Sequence, residues 1–418
     1  MFKKKLATGV AIAVICLASV PLAAHGMDDT EPPSISNVDW QPEHPDESDT
    51  ITVSATVTDD SGVAEVNLIY CYDGTCYPPV AMSGSSGSYA ATIGPFDEGM
   101  LTFNIEAEDT VGNSGQTQEY SLFVDGTAPH VSLLYPDGGE YLSGTVDVEW
   151  SVSDNGDDYP DIEVSYRNNG AWQTIDSIPD AHTDQISWDT TGVADGAGYQ
   201  ARVTAVDDAG NTAQDISSST FTVDNTPPST TVDLDGEENG DWYGSNVTVT
   251  LNATDATSGV SEISYQVDNG TWNTYTDPFT LTENGEHNVS FYAVDNAGNE
   301  EAEQSVAVNI DKRKPSLAVF RPVEGRLYLW GRDTISTVSG TTVIVGDIRV
   351  EVNATDNVSG MDRVEFYVDG ELQNTSTQAP YTWLWDDRAF FRKTLRIVAY
   401  NNAGNTAERE IQAFVLRI

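Results

Sequence analysis

Four apolar strands of this chain run into the same polar stop, AEDTVGN, AVDDAGN, AVDNAGN and AYNNAGN, which puts Asp109, Asp207, Asp295 and Asn401 at equivalent positions. A second set, Asp59, Asp154, Asp255 and Asp356, follows two residues after the last inward apolar residue of an earlier strand, namely Val57, Val152, Ala253 and Ala354. A third set, Asp29, Asp125, Asp224 and Asp311, stands just ahead of a proline where each unit begins. Strand residues two apart share a face, so Asp59 and Asp109 keep the parity of Val57 and Ala107 and aim their carboxylates together instead of into water. Two chemistries are open to such residues. An aspartate entering D-x-x-G-N accepts backbone N–H groups two residues on, as an Asx turn, with Gly112, Gly210, Gly298 and Gly404 supplying the left-handed backbone. Converging carboxylates also repel one another, and a Ca2+ ion with about six to eight oxygen ligands relieves that repulsion.

The stops lie 98, 88 and 106 residues apart, the length of one small β-sandwich each time. This divides the chain into a leader over 1–26 and four units over 27–126, 127–225, 226–312 and 313–418. The strands ITVSATVTD, VDVEWSVSD, VTVTLNATD and IRVEVNATD alternate apolar and polar residues, the pattern of a half-buried strand. The next strand of each unit ends at Asp73-Gly74, Asn169-Gly170, Asn269-Gly270 or Asp369-Gly370, dipeptides that supply the positive φ angles of a two-residue hairpin turn. Two positions after each turn glycine comes Cys76, Trp172, Trp272 or Leu372. With Asp73-Gly74 as the turn, Cys71 faces Cys76, and a cross-strand disulfide fits an exported chain with no other cysteine beyond the leader. A thiolate metal pair would need two further ligands that are not in sight.

Lys3, Lys4 and Lys5 precede an apolar run from Leu6 to Val20, and small residues follow at Ala23, Ala24 and Gly26. That reads as a secretory signal peptide, with an uncleaved anchor as the alternative; the run is shorter than the ~20 residues a spanning helix needs. Cys16 follows Ile15, not a small residue, so no lipid attachment is expected there. The mature chain is expected to be secreted or held at a surface without a transmembrane anchor. Residues 27 to 311 hold 53 acids and only two bases, Arg167 and Arg202, whereas residues 312 to 418 hold 13 acids and 14 bases. A surface so acidic repels a polyanion, which excludes nucleic acid as a partner of the first three units.

The D-x-x-G-N stops, the Asn-Gly and Asp-Gly hairpins with a following Trp, and the junctions DGTAP, DNTPP and DKRKP resemble the tandem immunoglobulin-like repeats of bacterial and archaeal surface proteins. The resemblance covers residues 31 to 418. It implies an all-β fold of four tandem immunoglobulin-like sandwiches in an elongated array, and a role in the cell envelope, in adhesion or in carbohydrate contact. A purely structural envelope spacer is the rival reading, and a carbohydrate-active accessory protein a more remote one. No cysteine pair joins the second and sixth strands, so the cores rest on Val, Ile, Leu and Trp packing. In a sandwich of this topology the three acidic sets meet at one pole. That groups Asp29, Asp59 and Asp109; Asp125, Asp154 and Asp207; Asp224, Asp255 and Asp295; and Asp311, Asp356 and Asn401. The arrangement looks like the calcium-stiffened joints of cadherins, without the cadherin linker sequence.

The fourth unit departs from the others. RPVEGRLYLWGRDT carries Trp330, and PYTWLWDDRAFFRKTLRIV crowds Trp383, Trp385, Phe390 and Phe391 with Arg388, Arg392 and Lys393. Most of the aromatics are expected in the core, and Trp330, Arg388, Arg392 and Lys393 are the candidate contact residues, since arginine and aromatics dominate contact hot spots. An anionic envelope polymer, a glycan, a surface protein or the acidic part of a second copy are the partners this implies. Asn246, Asn252, Asn269, Asn288, Asn353, Asn357 and Asn374 begin N-x-[ST] sequons. For catalysis the chain offers little: His44, His130, His182 and His287 lack metal spacing, and no GxSxG, HExxH or phosphate-cradling loop occurs. Paired carboxylates carry no information in a chain with 66 acids, so no enzymatic activity is expected.

Overall fold

The computed structural model describes residues 29–386 and 390–417. The leader over 1–26 and Arg388 lie outside the described residues. The strands form four pairs of facing sheets, so the all-β sandwich expectation holds along the described chain. In the first, Ser34–Gln41, Ile51–Thr58 and Ser88–Ile93 pack against Val63–Tyr72, Gly99–Asp109 and Tyr120–Val124. The later three repeat this with a three-stranded sheet such as His130–Tyr135, Thr145–Ser153 and Gln185–Asp189, set against a broader one. Among the described residues no helix is long and apolar enough to cross a membrane.

Alternation drives each sheet. In Ile51–Thr58 the residues Ile51, Val53, Ala55 and Val57 are buried and the Thr and Ser between them face outward. Together with Leu68, Leu101, Phe103 and Ile105 they form one closed core, and side chains of this size contribute about 1.5–3 kcal/mol each on burial. Separate cores gather around Trp150 and Phe221, around Val249 and Phe291, and around Phe366 and Trp385. Four independent apolar centres are what units of this length can sustain.

A short strand that crosses between the sheets was not anticipated. Tyr141–Leu142, Trp242–Tyr243 and Thr342–Val345 each lie parallel to the last strand of their own sandwich. Two hairpins also differ from the sequence reading. Asp73-Gly74 and Asp369-Gly370 do form two-residue turns with both φ angles positive, closed by Tyr72 opposite Thr75 and Val368 opposite Glu371. In the third sandwich the left-handed pair is Asp268-Asn269, not Asn269-Gly270, and the Gly270 N–H closes the turn on the Val267 carbonyl. Asparagine tolerates the left-handed region well enough to move the turn by one residue. In the second, the ladder stops at Tyr166 opposite Gln173, because Trp172 leaves the strand to lie between Arg167 and Arg202, with its ring 4.5 and 4.6 Å from their guanidinium carbons. Cys71 and Cys76 face each other across the first hairpin and are joined by a disulfide.

Candidate metal centres at the acidic corners

The strand Gly99–Asp109 carries buried residues at every second position as far as Asp109, so its last inward side chain is a carboxylate. Glycine at the left-handed position lets the chain double back at once, with Gly112, Gly210, Gly298 and Gly404 at φ between 81° and 98°. The Asp109 Oδ1 accepts from the backbone N–H groups of Val111, Gly112 and Asn113 at 2.8, 2.6 and 2.9 Å. Burial alone would raise the Asp109 carboxyl, but these bonds and the Asn113 amide hold it below its ordinary value. The Asx-turn chemistry is therefore present on Oδ1, and Oδ2 accepts from the Asn113 side-chain amide at 2.6 Å.

The same carboxylate also lies close to two more acids. In each of three corners, Asp29 with Asp59 and Asp109, Asp125 with Asp154 and Asp207, and Asp224 with Asp255 and Asp295, one oxygen from each residue lies within 4.8 Å of the others. The residues that sequence parity groups are thus the ones the fold brings together. Asp109, Asp125, Asp207, Asp224 and Asp295 are buried, while Asp29, Asp59, Asp154 and Asp255 are half-buried. Each of these corners also holds a buried oxygen with no hydrogen-bond partner: Asp29 Oδ2, Asp154 Oδ1 and Ser258 Oγ. An orphaned buried oxygen costs about 1–3 kcal/mol, so finding one at each corner marks a place where a donor or a cation belongs.

Electrostatics at the second corner agree. Burial, then the charges of Asp154, Asp207 and Glu98, push the Asp125 carboxyl up to about 6. Space for that carboxylate is kept by Gly156, where an added Cβ would lie 2.0 Å from Asp125 Oδ2. Asp255, held by backbone N–H groups of Gly259 and Thr257 against the effect of its burial, stays below its ordinary value.

The fourth corner is built differently. Asn401 accepts the Asn405 N–H through Oδ1 at 2.8 Å, as the aspartates do. Its Nδ2 then donates to Asp311 Oδ2 at 2.9 Å, to the Arg313 carbonyl at 2.9 Å and to Asp356 Oδ2 at 3.2 Å. Ser359 Oγ donates to Asp311 Oδ2 at 2.7 Å, and no orphaned side-chain atom is found at this corner among the described residues. Here burial is outweighed by hydrogen bonds from Val358 and Asn401, and the Asp356 carboxyl lies below its ordinary value.

Sequence reasoning passed over the asparagine that ends every stop. Asn113, Asn211, Asn299 and Asn405 donate Nδ2 to the main-chain carbonyls of Asp29, Asp125, Asp224 and Asp311, at 2.9, 3.0, 2.8 and 2.6 Å. Each one straps the entering chain to its sandwich. Its presence in all four stops was the available signal. Residues of the preceding sandwich reach the same places: Glu98 bonds Thr127 and Asn155, Asp195 accepts from the Asn225 N–H, and Asn284 accepts from the Lys312 N–H.

The remaining candidates are scattered. Trp330 and Phe391 stand 75% and 73% exposed at positive φ, and Phe390 is exposed, against the expectation of core positions for the two phenylalanines. They sit where the strand Phe390–Asn401 begins, before its inward alternation is established, whereas Trp385 is buried and Trp383 packs on the core. Arg392 is exposed and Lys393 pairs with Asp369 at 2.7 Å. Of the sequon asparagines, Asn246, Asn252, Asn269, Asn288, Asn353 and Asn357 are exposed and Asn374 is half-buried.

The bacterial Ig domain family matches residues 334–406. No curated protein matches the chain. Among solved structures, the tetra-tandem repeat in the extending region of a large adhesion protein is 18% identical, over 92% of this chain and 99% of that one, with a TM-score of 0.33. A Ca2+-stabilised adhesin that helps an Antarctic bacterium reach out and bind ice is 19% identical, over 94% and 100%, with a TM-score of 0.32. The fibronectin(III)-like modules of CbhA from Clostridium thermocellum are 18% identical, over 45% and 95%, with a TM-score of 0.29. The chain is a tandem array of immunoglobulin-like β-sandwiches, and its residues 334–406 match the model of the bacterial Ig domain family.

Proposed function

We propose that this chain is a non-catalytic, secreted or surface-held binding rod that takes Ca2+ at the corners of Asp109, Asp207 and Asp295, the latter two stiffening joints between sandwiches. The observation that carries the reading is the coincidence, at all three corners, of converging carboxylate oxygens with a buried oxygen that has no partner. The donors are all oxygen and their number is flexible, which suits Ca2+ better than an ion that demands a strict octahedron. At the second and third corners the ligands come from one sandwich while Glu98 and Asp195 of the preceding one hold the linker, so an ion there fixes two bodies at once. Calorimetry of the mature chain with Ca2+ tests this; absence of binding at millimolar concentration removes the ion from the account.

The fourth sandwich is the attachment end in this reading. Trp330, Phe390 and Phe391 offer exposed rings and Arg392 an exposed base, on the one unit whose charge is balanced. An anionic envelope polymer, a glycan, a surface protein or the acidic sandwiches of a second copy fit that surface. Deleting residues 314–418 should release the protein from cells, and unchanged cell association would count against attachment here. Used sequons would add glycans to the third and fourth sandwiches, readable as a mass shift on the secreted protein.

A further inference from the structure

The fourth corner repeats the backbone of the other three, yet every difference at it has the same sign. Asn401 replaces Asp109, Asp207 and Asp295. Asn284 holds the linker where Glu98 and Asp195 do so upstream. The linker itself changes from DGTAP and DNTPP to DKRKP, and Lys312 Nζ bonds Asn246 Oδ1 and the Thr282 carbonyl of the third sandwich at 2.7 and 2.6 Å. Acids have become amides, and three bases have been added.

We infer that Asn401 decides which corner takes an ion: its side-chain nitrogen, bonded to Asp311, Asp356 and the Arg313 carbonyl, does at the fourth corner what a divalent cation does at the other three. The inference rests on the Ca2+ reading for those three corners. An amide nitrogen carries two donors in a plane and a partial positive charge, so it bridges facing carboxylates without neutralising them. A cation brought to the same point would have to displace that nitrogen and would meet one negative charge fewer. The Lys312 ammonium instead ties the linker to the third sandwich, through Asn246 and the Thr282 carbonyl. The joint before the fourth sandwich is therefore closed by the chain's own groups and is indifferent to ion concentration. The Ser258 hydroxyl, buried without a partner, and its counterpart Ser359, bonded to Asp311, show the same contrast at a second residue.

Counting bound Ca2+ on the intact mature chain by native mass spectrometry tests the assignment. The wild type should hold three ions and Asn401→Asp four. Four in the wild type, or three in both, overturns the role of Asn401 while leaving Ca2+ at the other corners. None in the wild type overturns the Ca2+ reading itself. Hydrogen exchange of the wild type in chelator gives a second readout that does not depend on the variant folding. Residues 401–405 should keep their protection while 109–113, 207–211 and 295–299 lose theirs, and equal loss in all four turns overturns the inference.

Discussion

At the scale of the residue, the chemistry turns on carboxylates that are buried before they are paired. Asp125 shows this most clearly, since burial and the charges of Asp154 and Asp207 raise its carboxyl to about 6. A raised folded value means that the folded state holds its proton more tightly than the unfolded chain does. Without an ion, this contribution to stability is fully present below the ordinary carboxylate value of about 4 and is lost as pH rises through about 6. The metal-free second sandwich should melt higher at pH 5 than at pH 7.5, and Asp125→Asn should flatten that difference, as thermal scans in chelator would show. Ca2+ needs the carboxylate ionised, so its affinity at this corner should fall on acidification below about pH 6. Gly156→Ala probes the same corner by shape, because the added methyl would lie 2.0 Å from Asp125 Oδ2. That carboxylate must turn away, and the variant should lose one bound Ca2+ while the ions at the other corners stay.

Elements decide where such residues point. Strand parity carried Asp59, Asp109 and their equivalents to one pole, and that part was legible in the sequence because a period of two leaves no freedom once Val57 and Ala107 face the core. Less legible were features that depend on which strands meet. The parallel pairing of Tyr141–Leu142 with Phe221–Val223 joins segments far apart in the chain, and nothing local announces it. The turn at Asp268-Asn269 was misplaced because Asn269-Gly270 carries the stronger dipeptide signal, and both residues before Gly270 can adopt positive φ. A buried polar pair in the third sandwich also escaped the sequence reading. Glu301 accepts the Thr230 N–H at 2.8 Å and the Thr230 hydroxyl at 2.6 Å, tying the first strand to the segment before the last. Glu301→Ala leaves two buried donors unsatisfied and should destabilise the third sandwich by about 2–4 kcal/mol, read as the shift of one transition in chemical denaturation. By contrast the disulfide between Cys71 and Cys76 closes a short hairpin, so replacing both cysteines by serine should cost about 2 kcal/mol or less and leave Ca2+ binding unchanged.

On the scale of the whole molecule, charge and joints compete to set the stiffness. Residues 27 to 311 carry 53 acids against two bases, so neighbouring sandwiches repel along most of the chain. That repulsion straightens a chain without help from any ion, but only while it is felt across a joint. At an ionic strength of about 0.01 M the screening length is roughly 30 Å, and the charges alone should hold the chain extended. At about 0.15 M it falls to roughly 8 Å, and sandwiches that share only a linker are free to hinge. An ion bound at the joint acts at contact distance, where screening is weak. Small-angle scattering of the mature chain should therefore show Ca2+ increasing the maximum dimension at about 0.15 M salt and changing it little at about 0.01 M. A Ca2+ effect of equal size at both salts would mean that the joints alone set the shape. No effect at either would separate ion binding from stiffness. Since the joint before the fourth sandwich is closed by Asn401 and Lys312, calcium depletion should loosen the chain upstream and leave the third and fourth sandwiches coupled. Double electron–electron resonance between labels on those two should then give the same distance distribution with Ca2+ and with chelator, while labels on the first and second should give a distribution that broadens in chelator.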